Sequence, residues 1–545
     1  MTDEDTPDDS DGTTPAAAEG DPAPVEESDF VEYGIEDKPP LGESILLGVQ
    51  HYLTMIGATI AIPLALIATM NGVEGVSMPT SAQAQLIGTF FVVSGIATLA
   101  QTTIGNRYPI VQGGTFSMLA PAVAIIAAVG AQGAGYEIML RELQGAIIVA
   151  ALVEVVIGYG GVMGWLKRYM SPVVIAPVIA LIGLALFNTP QIVDPGDALH
   201  LEPGSNQNWW LLGLTVLLIV GFSQYLDKYS RYARLFPVLL GVGAAWAVAA
   251  VLTVAGVLEP ASISGVNFEQ VASASAIQPI TPLQWGMPQF TTAFAIGMFA
   301  GVVASMIESF GDYHAVARLA GISAPSRKRV NHGIGMEGLG NVFAGIMGTG
   351  NGSTSYSENI GAIGITGVAS RYVVRIGAVV MIVVGYVGYF GQLVATIPTP
   401  IVGGLFIAMF GQIAAVGLAN LKYVDLDSSR NVFIIGLALF AGLAIPEYMA
   451  QFPGPDAFRE GMSAFPAIGS ILGSRIVSDT VFVVGSTGMA VGGIIAFVLD
   501  NTVEGTREER GLEQWKEIAE DEEEFQSIFD RLGDGTDERP AGGAD

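Results

Sequence analysis

The sequence predicts an all-α polytopic membrane protein with fourteen transmembrane spans, arranged as two inverted seven-span repeats with short extended segments in spans 3 and 10. Three observations predict it. The 545 residues are 51% hydrophobic and 14% charged, where a soluble domain carries roughly 25% charged residues. Apolar stretches long enough to cross hydrocarbon recur from Ile45 to Leu499. Basic residues then fall almost wholly on one side of the implied membrane.

Composition bounds the chemistry. Mean hydropathy is +0.52, and the 70 glycines suit close helix packing in lipid. With no cysteine there is no disulfide, thiolate metal site or thiol nucleophile, and the four histidines (His51, His200, His314, His332) lack metal-ligand spacing. Of the net charge of −28, the segments 1–43 and 500–545 supply −25. Both are acidic and poor in aliphatics, so each is expected to be a solvated tail, in keeping with a salty cytoplasm. A docking role is the alternative. An amphipathic helix is expected near Leu512–Phe529. The acidic N-terminus does not read as a cleavable signal peptide.

The predicted spans lie near 44–69, 83–104, 114–130, 143–164, 172–188, 209–226, 236–258, 289–311, 333–348, 357–368, 372–396, 400–419, 431–449 and 480–499. With the N-terminus cytoplasmic, the even loops hold fourteen basic residues: Arg107, Lys167, Arg168, Lys228, Arg231, Arg234, Arg318, Arg327, Lys328, Arg329, Arg371, Arg375, Lys422 and Arg430. The odd loops hold three, Arg141, Arg459 and Arg475. A miscounted span would scramble that asymmetry.

Spans 3 and 10 are too short or too glycine-broken for ordinary helices, following Gly113-Gly114-Thr115 and Gly350-Asn351-Gly352-Ser353-Thr354. They stand seven spans apart, and an odd repeat must be inverted. Pro172 and Pro400 open spans 5 and 12, with Ala180/Ala408 and Gly183/Gly411 in register. Matched broken segments in two halves point to a solute site at the bilayer midplane. Extended backbone is tolerated there only where protein, water or solute satisfies its polar groups, and each following half-helix aims free N–H groups inward.

Acids inside spans are the leading functional candidates, because an ionised side chain at the bilayer centre costs about 2.5–3.5 kcal/mol on insertion scales. Glu308 and Asp312 are four apart in span 8, hence on one helix face, where they either raise one proton affinity or share a cation. Asp312 lies nearer the cytoplasmic end, where simple solvation is the alternative. Glu358 opens the tenth half-helix, as a solute ligand or as a helix-capping acid. Two carboxylates beside the Asn359 amide suit the N–H groups of a planar heterocycle, and Phe116 would stack on its face or simply pack. Glu154 and Glu337 are weaker candidates that would hydrogen-bond between helices. His51, after Gln50 in span 1, is a structural or gating candidate. His314 and His332 read as interface residues. There is no phosphate-cradling G-x-x-x-x-G-K-[ST] motif, no arginine ladder and no enzymatic cluster, which excludes an ATP-driven pump of that type and a voltage sensor.

These residues resemble the nucleobase–ascorbate transporter family, the nucleobase–cation symporters. The family signature [Q/E/P]-N-x-G-x-x-x-x-T-[R/K/G] matches Glu358, Asn359, Gly361, Thr366 and Gly367 at every specified position. Gln50-His51, Val111-Gln112-Gly113-Gly114-Thr115-Phe116, the run from Glu308 to Ala315, the run from Gly348 to Thr354, and the ending at Asp500 and Glu508 also match, so the resemblance covers about residues 41–515. It implies a core domain (44–169 and 289–397) working against a gate domain (170–288 and 398–499), flanked by cytoplasmic tails 1–43 and 500–545. It further implies a homodimer in the cell membrane with both termini inside, using an elevator-like movement and no cofactor beyond a coupling ion, H⁺ or Na⁺. Glu308 and Glu358 would bind solute, Ala58, Phe116, Tyr356 and Ser357 would line its pocket, and Asn359 would support it. Asp312 joins Glu308 in ion coupling, and Gln50, His51 and Thr115 hold structural or gating positions. Uracil carriers resembling the family have histidine at the position of Asp312, and ascorbate carriers begin the signature with proline. Glu358 therefore favours a nucleobase (xanthine, urate or uracil) over ascorbate. An anion channel or exchanger on a related fourteen-span fold is a further alternative. No nucleic-acid partner is expected.

Overall fold

The computed structural model describes residues 31–163, 169–193, 209–260, 262–512 and 525. Lys167, Arg168, His200 and most of the helix expected near Leu512–Phe529 lie outside these residues.

The described chain is overwhelmingly helical. Helices α1 (Leu41–Asn71) and α2 (Thr80–Thr103) lead into a two-residue strand β1 (Gln112–Gly113), a short 3-10 turn, and α3 (Leu119–Gly130). Next come α4 (Tyr136–Tyr159), α5 (Pro172–Leu184), α6 (Trp209–Val220) and α7 (Pro237–Val254). The order then echoes itself: α8 (Thr292–Leu319), α9 (Arg327–Met347), strand β2 (Thr354–Ser355) and α10 (Ser357–Thr366). Last are α11 (Arg371–Tyr386), α12 (Gly388–Ala395), α13 (Thr399–Ala419), α14 (Ser429–Met449), α15 (Arg475–Gly485) and α16 (Gly488–Thr502). Among the described residues six helices are long and apolar enough to cross a membrane alone, namely α1, α2, α7, α8, α13 (extended to Tyr423) and α14.

Local chemistry explains where elements begin and end. Pro172 and Pro237 occupy the first helical position of α5 and α7, where a missing N–H is harmless. Gly348 (φ 79°) closes α9 and Gly367 (φ 70°) closes α10 in the left-handed conformation. Two predicted spans are broken. The span read as 480–499 is two helices, α15 and α16, bent by 96°, and the helix turns where Thr487 takes extended backbone. The span read as 372–396 divides at Val387, whose extended backbone pairs with Ile277 in an antiparallel bridge while Gln278 N–H bonds Tyr386 O at 2.8 Å. Apolar runs in sequence do not reveal such breaks, because the residues on both sides are equally hydrophobic.

The helices pack as two groups. In one, α4 lies along α9 and α2 along α11, with α2, α8 and α9 against the strands and α10 packed on α1 and α8. In the other, α5 lies along α13, α14 along α16, and α6 along α7. Small residues set the first group's spacing: a Cβ on Gly95 of α2 would stand 2.6 Å from the Ala378 carbonyl of α11. The bent helix α15 reaches across and packs on α8.

The tail boundaries differ from the composition-based ones. Residues 31–43 are not a free tail, since Tyr33 bridges Val368, Ser370 Oγ donates to Asp37 O at 2.6 Å, and α1 already starts at Leu41. Asp500 is likewise buried, accepting from Ser171 Oγ at 2.7 Å and from Arg430 and Arg510 at 3.0 and 2.7 Å. Charge-rich segments read as solvated when their partners are distant in sequence. Here arginines and backbone groups from other elements satisfy them.

Candidate functional site

The two broken segments meet. Strands β1 and β2 pair antiparallel, Gln112 opposite Ser355 and Gly113 opposite Thr354. Side chains from neighbouring segments satisfy the remaining backbone groups. Gln112 N–H donates to Thr98 Oγ1 at 2.9 Å, Val111 N–H to Asn359 Oδ1 at 2.8 Å, and Thr115 N–H to Asn351 Oδ1 at 2.8 Å. Glycine is required at 113, where a Cβ would lie within 2.7 Å of three atoms of the Tyr356 ring.

A cavity of about 1400 Å³ opens in front of the strands. Its first wall carries Thr115, Phe116, Glu308, Asp312, Tyr356, Ser357 and Glu358, and its second wall carries Ile175, Ile179, Gln412, Ile413 and Val416. Arg318 and Lys422 also line it.

Most of the predicted residues converge here. Glu308 is half-buried and faces the cavity one helical turn from Asp312. Glu358, in the first turn of α10, projects exposed into the same space. Asp312 is buried rather than solvated. Its Oδ1 accepts from Ser357 Oγ at 2.8 Å, which ties α8 to the start of α10, and no donor reaches its Oδ2 among the described residues. Phe116 stands edge-on to Phe410 of α13, centroids 5.8 Å apart, so it joins the two helix groups. Thr115 Oγ1 accepts from Ser117 N–H at 3.2 Å and starts the 3-10 turn.

Other predicted residues sit behind this surface. Asn359 is fully buried and holds β1 through Val111, with its Nδ2 3.2 Å from His51 Nδ1. His51 is thus buried structure joining α1 to α10. Gln50 is half-buried, and its Nε2 has no partner among the described residues. Ala58 does not line the cavity. It is buried within α1. His314 lines the cavity and keeps Nδ1 2.8 Å from Phe310 O, so it is more than a residue bordering a basic loop.

Sequence reasoning missed the second wall, since Ile175, Ile179, Gln412 and Ile413 belong to distant, uniformly apolar helices. It also underweighted Glu337. That carboxylate accepts from Ser309 Oγ at 2.7 Å, Tyr313 OH at 3.0 Å and Ser355 Oγ at 3.2 Å, directly behind β2. A buried acid within a Gly-rich helix was the available signal.

Comparison with known proteins decides the family. The sequence model described as "Permease family" (Xan_ur_permease) matches residues 42–451. This chain belongs to the nucleobase–ascorbate transporter family. It is 40% identical to mouse solute carrier family 23 member 1, over 91% of this chain and 84% of that protein. It is 35% identical to nucleobase-ascorbate transporter 1 of Arabidopsis thaliana, over 90% of this chain and 93% of that protein. Among solved structures, the murine solute carrier 26 family member A9 anion transporter, in an inward-facing state, superposes with a TM-score of 0.55 at 13% identity. That likeness covers 75% of this chain and 66% of the other, and speaks to the fold alone. The family members are membrane transporters.

Proposed function

We propose that this chain is a secondary active transporter that imports a nucleobase (xanthine, urate or uracil) by symport with H⁺ or Na⁺. The observation that carries the reading is the juxtaposition of Glu308 and Glu358 on one wall of a cavity floored by the paired broken segments. A planar heterocycle offers ring N–H donors to carboxylates, and charge-assisted bonds of that kind contribute about 1.5–3 kcal/mol each. Phe116 at the floor supplies an aromatic surface for the ring. Asp312, carried by α8 and bonded to Ser357 beside Glu358, is the natural coupling acid.

The proposed architecture is fourteen spans in two inverted seven-span repeats, with the first helix group as core and the second as gate. The recurrence of strand-then-half-helix at β1–α3 and β2–α10 supports it. An elevator-like slide of core against gate, a homodimer in the cell membrane and cytoplasmic termini belong to the same proposal. Arg318, in the last turn of α8, and Lys422, just past α13, lie at the ends assigned to the cytoplasm, so a cavity lined by both faces inward.

A second reading, a small organic anion such as ascorbate, is favoured by those same two cations. Uptake into proteoliposomes decides between them. Xanthine, urate, uracil and ascorbate are each offered under an imposed Na⁺ gradient and, separately, a pH gradient. Concentrative nucleobase uptake under one gradient supports the first reading and names the ion. Ascorbate uptake alone overturns it.

A further inference from the structure

The C-terminal chain touches both helix groups. On the second group, Asn431 Nδ2 of α14 donates to Glu509 O at 2.7 Å, Arg510 pairs with the buried Asp500 at 2.7 Å, and Leu512 is itself buried. Gly511 (φ 72°) turns the chain against Tyr423 O and Pro172 of α5, where a Cβ would find no room. Phe525, 13 positions beyond Leu512, is 6% exposed and sits on the first group instead. Its ring centroid lies 4.8 Å from the Arg329 guanidinium and 5.8 Å from the His332 ring, both carried by α9. Arg329 also stands 4.6 Å from the Tyr108 ring and donates to Asn106 O at 3.1 Å, and His332 stands edge-on to Tyr159 of α4 at 5.4 Å. The seat of Phe525 is therefore built by α9, α4 and the loop after α2.

Charge matches this seat to the chain's own tail. Five acids, Glu520 to Glu524, stand immediately before Phe525 in sequence. Helix α9 opens with Arg327, Lys328 and Arg329, although a helix start favours acids and disfavours cations. An acidic partner offsets that mismatch, and Phe525 brings the acidic run to the same end of α9. The aromatic ring adds its own attraction for the guanidinium.

We propose that the C-terminal tail is an intramolecular ligand of the first helix group. Phe525 and the acids before it dock on Arg329, His332 and the basic start of α9, and the chain, held on the second group at Glu509–Leu512, straps one group to the other. A contact made in only one arrangement of two bodies favours that arrangement by its own free energy. The strap is thus a brake on leaving the arrangement in which the cavity faces inward. It rests on the proposed slide of core against gate and on no assumption about solute.

Two measurements on the full chain in lipid nanodiscs, without solute, test it. Cleavage within the acidic run by a glutamate-specific protease should be about threefold or more faster in Phe525→Ala, and close to the unmodified rate in Phe525→Trp. Because the chain has no cysteine, Leu339→Cys on α9 and Phe433→Cys on α14, both exposed, take spin labels at these two positions alone. Their distance distribution reports how the groups sit, and Phe525→Ala should shift the ratio of its populations by about threefold or more away from the inward-facing one. If Phe525→Ala does not fold, replacing the five acids by the corresponding amides keeps Phe525 in place and should shift the distances in the same direction. Unchanged cleavage in Phe525→Ala overturns the docking. Faster cleavage with an unchanged distance distribution overturns the strap. Neither measurement contains solute, so a wrong solute assignment leaves both readable, and cleavage tests the docking even if the groups do not slide.

Discussion

The two walls of the cavity differ in kind. The wall built by β2, α8 and α10 presents carboxylates, hydroxyls and strand ends, while the wall built by α5 and α13 is largely isoleucine, valine and alanine. Directional bonds therefore come from one helix group and close apolar contact from the other. A wall with few directional bonds does not resist sliding, which is what the proposed movement of core against gate requires. The proposed recognition resides where backbone is broken, because there the acids and the starts of the half-helices share one space.

This contrast can be broken by moving through the first wall and then the second. Glu308→Gln should cause the largest loss, roughly 100-fold or more in initial uptake rate with the protein still folded, as two charge-assisted bonds of about 1.5–3 kcal/mol are removed or weakened. Normal uptake by that variant would place the site elsewhere. Glu358→Gln should lower nucleobase uptake by about 10–100-fold and relax discrimination against ascorbate, read as a change in the ratio of the two rates. For Asp312→Asn the expected effect is on coupling: uptake persists but no longer responds to the ion gradient. Unchanged gradient dependence would remove Asp312 from the mechanism. On the second wall, Ile179→Val should change affinity by less than about threefold, since one methylene contributes about 0.8 kcal/mol at most. A larger effect would mean that the apolar wall takes part in recognition.

How much of this was legible in sequence follows from the physics of each element. The broken segments were visible because Gly113, Gly114, Gly350 and Gly352 interrupt apolar runs, and the acids because a carboxylate in a span is costly. That β1 and β2 pair with Gln112 opposite Ser355 was not legible, since register between segments 243 residues apart leaves no local pattern. Ala58 was expected at the pocket from family resemblance, yet it is buried in α1 and does not line the cavity. The bend between α15 and α16 escaped because Ser486 and Thr487 are tolerated in spanning helices, and the tertiary packing of α15 on α8 selects the break. The ordered segment at Tyr33–Asp37 escaped for a different reason: its partners, Arg107, Val368 and Arg371, are distant in sequence.

That segment gives the smallest and most sharply signed prediction. Glu36 bridges Arg107, at 2.9 Å, and Arg371, and so ties the N-terminal segment to the loop after α2 and to the start of α11. Partial burial raises its proton affinity, but the Arg371 and Arg107 guanidiniums outweigh that and hold its carboxyl below the ordinary range. A carboxylate whose folded pKa is depressed contributes stability above its unfolded value, and loses it as pH falls through the lower folded value. The Glu36→Gln variant should therefore melt slightly below the unmodified chain at about pH 7, by no more than about 1–2 °C, because the group is 56% exposed and screened. The gap should close as pH drops below the ordinary glutamate value of 4.5. A gap that widened on acidification would mean that Glu36 is protonated in the folded chain. In that case the segment would be anchored through the backbone bonds of Glu32, Tyr33 and Ile35 to Gly367, Ala369 and Arg371 and the Ser370 bond to Asp37 O.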